Sequence, residues 1–244
     1  MAARSIYLEN LTWVEAQEAF KQCEVVLIPL GARCKEHGPH LPLNNDWIMA
    51  EYLTGRVAEQ VTAIILPTLQ YGYYPSFTEY PGSVTLGLDT SRQMIEDICI
   101  SLSRYGVNKY YVLNTGISTN QALEPAKEEL HNQGITLWYT DLHEAEGNTQ
   151  SLLEQEGGTH ADESETSMMI YIKPGIVNMS KAVKDYHPRG GRGLTRDPKN
   201  QAAGVYSASG VYGDPTLASV EKGEAIVEAM IQYIVDDVKK LVLL

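Results

Sequence analysis

Short, continuous apolar runs alternate with amphipathic stretches along most of this chain, and that alternation restricts the fold more than any other feature. Residues 24–31, EVVLIPLG, form an apolar run that stops at a glycine, the pattern of a strand buried on both faces. Runs of the same kind recur at 62–69 (TAIILPTL), 109–116 (KYYVLNTG) and 135–142 (ITLWYTDL). The intervening stretches have helical spacing. Thr12 and Glu15 frame a capping box, after which Ala16, Ala19, Phe20 and Cys23 share one face. A helix is predicted over 47–60, with Asp46 as a candidate cap. Residues 91–105 carry Ile95, Ile98, Cys99 and Leu102 at i, i+3, i+4 and i+7, and further helices are predicted over 120–133 and 217–241. Strands alternating with helices imply an α/β fold with a mainly parallel sheet covered on both faces.

The chain has 244 residues, a length read here as one domain over 1–244. Its net charge of −12 argues against partners that display phosphate, because lysine and arginine would have to neutralise them. Nucleic acid and anionic membrane are therefore not expected as partners. Cys23, Cys34 and Cys99 are widely spaced and form no CxxC pair, so neither a zinc ribbon nor a disulfide framework is implied. The first residues lack the apolar core of a signal peptide, no run is long enough to span a bilayer, and a cytoplasmic setting is expected.

In an open α/β sheet, ligands bind beyond the carboxyl ends of the strands. The unusual residues lie there. After the first run comes GARCKEHGPHLPLNND, which contains Glu36, His37, His40 and Asp46. Imidazole and carboxylate together suit zinc, manganese or iron, and the prolines and glycine stiffen the loop that carries them. The competing reading is that Asp46 caps a helix and the histidines face solvent. A second cluster, GTHADESETSMM (158–169), places His160 in a polar loop before a helix whose first turn Asp162, Glu163 or Ser164 serves. His160 is a candidate general acid or base, with a solvated histidine as the alternative, and Glu165 lies one helical turn further on. The third, QYGYYPSFTEYPGSVTL (70–86), has five aromatic residues, Tyr73 among them, and reads as a pocket wall or as an ordinary packed loop. His131 and His143 read as surface residues. The segment between Asp185 and Pro215 is rich in Gly, Pro and Arg and reads as a lid or a subunit contact, and GGRG at 190–193 lacks the context of a phosphate loop.

LTWVEA, IPLG, EHGPHLPLNND, the aromatic segment, HADESETSMM followed by Pro174, and GVYGDPTLASVEKGE together resemble the creatininase family of metal-dependent amidohydrolases over nearly the whole length. The resemblance implies a three-layer α/β/α sandwich with a mainly parallel central sheet. It also implies hydrolysis of a C–N bond in a small, often cyclic, amide, and a homo-oligomer, commonly a hexamer. In the family two divalent metals share an aspartate and hold a water. His37 matches the motif histidine, Asp46 the bridging aspartate, His160 the later histidine that moves protons, and Glu165 the glutamate of the ETS motif.

Two departures alter that expectation. The family has a glutamate two residues before the motif histidine. Here Lys35 stands there, with Glu36 adjacent, in a stretch one residue longer than usual. The family's Asn-Gly-His loop supplies a histidine and, in some members, a glutamate. Here the loop is NTGISTN, with Ile117 and Thr119 at those positions. The expected centre is accordingly mononuclear, with one zinc or manganese held by Glu36, His37 and Asp46. His160 and Glu36 are the expected acid–base groups, and His40, Glu165, Tyr73 and Thr119 border the substrate. The alternatives are a metal-free protein that binds a small molecule and a structural subunit acting through oligomer surfaces.

Overall fold

The computed structural model describes residues 5–187, 193–200 and 204–244. Five strands form one parallel sheet, β1 (Ile6–Tyr7), β2 (Val25–Leu30), β3 (Ile64–Ile65), β4 (Lys109–Asn114) and β5 (Thr136–Tyr139), in the order β1-β3-β2-β4-β5. The register runs Val25 to Lys109 through Leu30 to Asn114 between β2 and β4, which leaves both strands ending at one sheet edge. Every residue of β2 is buried, as its unbroken apolar run requires.

Side-chain alternation along the strands builds two cores. Val25, Leu27, Ile65, Tyr111 and Leu113 face α2 (Asn45–Ala58), α5 (Leu142–Glu146), α6 (Glu163–Ile172) and α7 (Val220–Val242). Val26, Ile28, Leu30, Ile64, Tyr110 and Val112 face α1 (Trp13–Gln22), α3 (Leu88–Ser103) and α4 (Asn120–Asn132). The result is the expected three-layer α/β/α sandwich. Cys23 and Cys99 pack as apolar residues in the second core, and all three cysteines are free thiols. Among the described residues no helix is long and apolar enough to cross a membrane.

The capping box at Thr12 and Glu15 is present as expected, with Thr12 N–H donating to Glu15 and Glu15 N–H to Thr12 Oγ1. The strand expected over 62–69 is shorter. Its ladder covers only Ile64–Ile65, because Pro67 has no N–H to donate, and the chain rejoins the sheet edge at Leu69, whose N–H meets Pro29 O. β1 escaped prediction because two residues show no periodicity. The segment after Asp185 is not a featureless loop in its described parts. It holds a parallel pair, β6 (Leu194–Thr195) with β7 (Val205–Tyr206), and then folds back toward the sheet edge. Part of this segment, including most of GGRG, lies outside the described residues.

Candidate active site

Gly31 ends β2 directly under the first turn of α2. A Cβ there would lie 2.4 Å from the Asp46 carbonyl oxygen, so only glycine lets strand and helix approach this closely. Thr115, just after β4, donates its hydroxyl to the same carbonyl at 3.0 Å. These contacts seat Asp46 over the carboxyl ends of the two central strands. Asp46 is not the helix cap. The cap position belongs to Asn44, which makes no side-chain cap bond, and the Asp46 carboxylate turns inward instead.

That carboxylate is fully buried and meets two basic side chains. Lys35 Nζ lies 2.6 Å from Oδ2, and His37 Nε2 lies 2.6 Å from Oδ1. Burial opposes ionisation of Asp46, yet His37 and the Lys35 ammonium outweigh it and hold the acid well below the usual carboxylate range. Burial likewise opposes the charge on Lys35, and Asp46 and Glu165 reverse that effect, so its pKa is raised. The rings of Phe77 and Tyr74 flank the ammonium, with centroids 5.0 and 5.7 Å away.

His37 Nδ1 faces the Lys35 carbonyl oxygen at 2.9 Å. A carbonyl only accepts, so Nδ1 carries a proton, and the ring is turned so that Nε2 is directed at the Asp46 carboxylate. Nε2 and Asp46 Oδ1 face each other at 2.6 Å in a fully buried contact, so each is the other's partner. His160 stands 4.9 Å from His37, ring to ring, with Phe77 against it at 4.3 Å. Its Nε2 meets Glu36 Oε1 at 2.8 Å, and its Nδ1 lies 3.7 Å from Glu165 Oε2. Burial pushes the His160 pKa down, but Glu36 and Glu165 outweigh burial, and the net shift is upward. Glu36 uses its second oxygen to accept from Gly38 N–H at 2.9 Å.

The expected ligands therefore sort into two groups. Glu36 turns away from Asp46 and joins His160. One donor atom from each of His37, His160 and Glu165 lies within 4.8 Å of the others, a set that could hold a metal ion. Ala161, between His160 and the Asp162 cap, adopts φ +48°, a left-handed conformation unfavourable for alanine, and its N–H donates to Glu165. This local strain turns His160 and Glu165 toward each other. His40 is buried beside them, with Nε2 2.8 Å from Thr166 Oγ1, and burial pulls its pKa down to about 4.

The aromatic wall is formed by Tyr74, Phe77 and Tyr80, all buried, whereas Tyr73 is half-buried. Sequence reasoning pointed to the segment, while irregular backbone has no period from which to read which of its tyrosines turn inward. After β4, Thr119 is buried with its side chain against Tyr74, and Ile117 is 39% exposed. The folded-back segment closes the site from above. Tyr212 bridges to His160, Tyr80 donates to Ser207 O, and at Gly210 (φ +80°) a Cβ would lie 2.1 Å from Glu36 Oε2. His131 and His143 are exposed, as expected.

Comparison with known proteins agrees with this architecture. The sequence model described as Creatininase: Creatinine amidohydrolase matches residues 9–238. The creatinine amidohydrolase of Pseudomonas putida is 29% identical over 260 aligned positions, covering 98% of each chain. The mycofactocin precursor peptide peptidase of Mycolicibacterium smegmatis is 26% identical, covering 88% of this chain and 85% of its own. The 3-dehydro-scyllo-inosose hydrolase of Thermotoga maritima is 24% identical, covering 94% of this chain and 81% of its own. Among solved structures, a creatininase superposes with a TM-score of 0.80 at 27% identity over 97% of both chains. A creatininase in its Mn form gives 0.79 at 26% identity over 97% of this chain and 98% of its own.

Proposed function

The chain belongs to the creatininase family, and from that premise we propose that it is a metal-dependent hydrolase cleaving a C–N bond in a small, linear or cyclic amide, with one divalent cation at His37. The observation that carries this reading is the buried cluster of possible donors around His37, whose Nδ1 is anchored on Lys35 O and whose Nε2 is aimed at Asp46 Oδ1. An imidazole fixed by a hydrogen bond from its other nitrogen is the usual bearing of a metal ligand. Glu165 supplies a further donor within reach, and Asp46 Oδ1 lies beside His37. Nitrogen and carboxylate donors suit zinc or manganese. Related creatininases are described as an Mn form and as a mutant of Zn–Zn type. When bound, such a cation polarises a carbonyl and lowers the pKa of a water.

The chain's own groups divide the remaining work. Glu36 holds His160 through Nε2, which leaves Nδ1 to take up and release the proton that moves between water and the leaving nitrogen. Phe77 against the His160 ring keeps bulk water from that proton. Asp46 holds Lys35 and His37 in place. The substrate is a small molecule bordered by His40, Tyr73 and Thr119, and a single domain over 1–244 assembling as a homo-oligomer accompanies this reading. A second reading, a metal-free protein that binds a small molecule, is favoured by one observation: Lys35 already neutralises Asp46.

Metal content decides between them. Protein purified without chelator is compared with His37→Ala by elemental analysis, with circular dichroism as the check on folding. The hydrolase reading expects about one zinc or manganese ion per parent chain and loss of that ion in the folded variant. A parent chain without metal after loading moves the reading to the binding protein.

A further inference from the structure

Lys35 is an unusual occupant of a centre built to hold cations. Its side chain is 5% exposed, its Nζ lies 2.6 Å from Asp46 Oδ2, and two aromatic faces flank it. Glu165 and Glu36 also lie close enough to favour its charge. An ammonium ion is a compact point charge with three donors, and among carboxylates it neutralises as a metal ion does, though with a single charge. The two oxygens of Asp46 face two directions: Oδ2 toward the Lys35 ammonium at 2.6 Å, and Oδ1 toward the His37 imidazole at 2.6 Å. One side of the carboxylate thus faces a covalently attached cation, and the other faces an imidazole, a side chain that can itself ligate a metal.

We infer that Lys35 is a resident cation occupying the Oδ2 side of Asp46, where it excludes a divalent ion, so that the centre accepts a metal on the His37 side alone. The inference rests on the reading of this centre as a cation site. It assigns to Lys35 a role in setting how many ions the protein takes. It also places a latent second cation position between Asp46 Oδ2, Glu165 and the Tyr74–Phe77 wall, which replacing lysine by an acid would open.

The test is the number of zinc ions bound per chain, measured by isothermal titration and by elemental analysis after desalting. Parent, Lys35→Arg and Lys35→Glu proteins are compared, with thermal melts of each. Lys35→Glu is expected to bind one more ion than the parent, and Lys35→Arg, which keeps the charge, the same number as the parent. Lys35→Gln, which leaves Asp46 without its cation, is expected to gain more in melting temperature from added zinc than the parent does. A parent that binds two ions overturns the inference without any variant. Equal counts in parent and folded Lys35→Glu overturn it too. So does a Lys35→Gln chain that is unfolded without zinc and stays unfolded with it, because zinc then cannot stand in for the ammonium. The two proposals separate cleanly. No ion in the parent and one in Lys35→Glu keeps the exclusion of an ion from the Oδ2 side by Lys35 and removes both the metal on the His37 side and the one-cation hydrolase, whereas one ion in each keeps the hydrolase and removes the exclusion.

Discussion

The loops after β2 and after β4 leave neighbouring strands at the same sheet edge, yet they carry opposite chemistry. The first holds Lys35, Glu36, His37, His40 and Asp46, all buried. The second, Asn114 to Asn120, holds no ionisable side chain and satisfies itself with neutral bonds: Asn114 to the Gly116 backbone and to Asn120, and Thr119 N–H to Gly116 O. A sheet edge offers equivalent positions, and the comparison shows that position alone does not make a site. The ionic loop is held in place because its charges answer one another, whereas the neutral loop serves as support, as Thr115 does when it fixes the Asp46 backbone. Between the two loops the contrast is one of charge: Lys35 brings a cation into the first, and the second offers Ile117 and Thr119, neither of which ionises.

The largest break in that comparison is Asp46→Ala. It leaves Lys35 and His37 buried without their shared carboxylate, and breaking a buried pair in this way costs about 3–5 kcal/mol. Urea denaturation at neutral pH is expected to show that loss.

A smaller effect separates the acids that are paired from those that are not. Asp162 is buried near Glu165, and burial, followed by that neighbouring charge, pushes its pKa up to about 6. A carboxyl whose pKa is raised on folding binds its proton more tightly in the folded state than in the unfolded one. The folded state is therefore favoured at low pH, and that advantage is lost as pH rises from the ordinary aspartate range through about 6. Asp162→Asn keeps the cap on α6 and removes the titration. Its unfolding free energy is expected to lack this part of the decline, roughly 2–3 kcal/mol between pH 4 and 7.

The smallest effect lies in the neutral loop. Thr119→Val removes a buried hydroxyl that meets the Tyr74 side chain, and is expected to cost no more than about 1 kcal/mol in the same denaturation assay. A loss of several kcal/mol there would mean that this loop takes part in the ionic centre after all.

The parts of the molecule that were legible in the sequence are those governed by period. The buried run of β2, the faces of α3 and α7, and the capping box of α1 follow from spacing alone. The membership of the site was legible as a set of loops, because polar residues after buried strands have few other reasons to be there. The pairings within it were not. Glu36 and Asp46 look alike in sequence, and only backbone direction sends one to His160 and the other to Lys35 and His37. Lys35 stands out as a departure at a family position, but that its Nζ reaches Asp46 depends on a long side chain threading between Tyr74 and Phe77, contacts that no local pattern encodes.

The Lys35–Asp46 pair has a consequence for the life of the protein outside the test tube. A charge carried on a side chain is made when the chain is made. It is not stripped by a chelator, exchanged for a competing ion or omitted when metal is scarce. This share of the positive charge at the centre is therefore fixed by translation and is independent of the supply of metal around the protein.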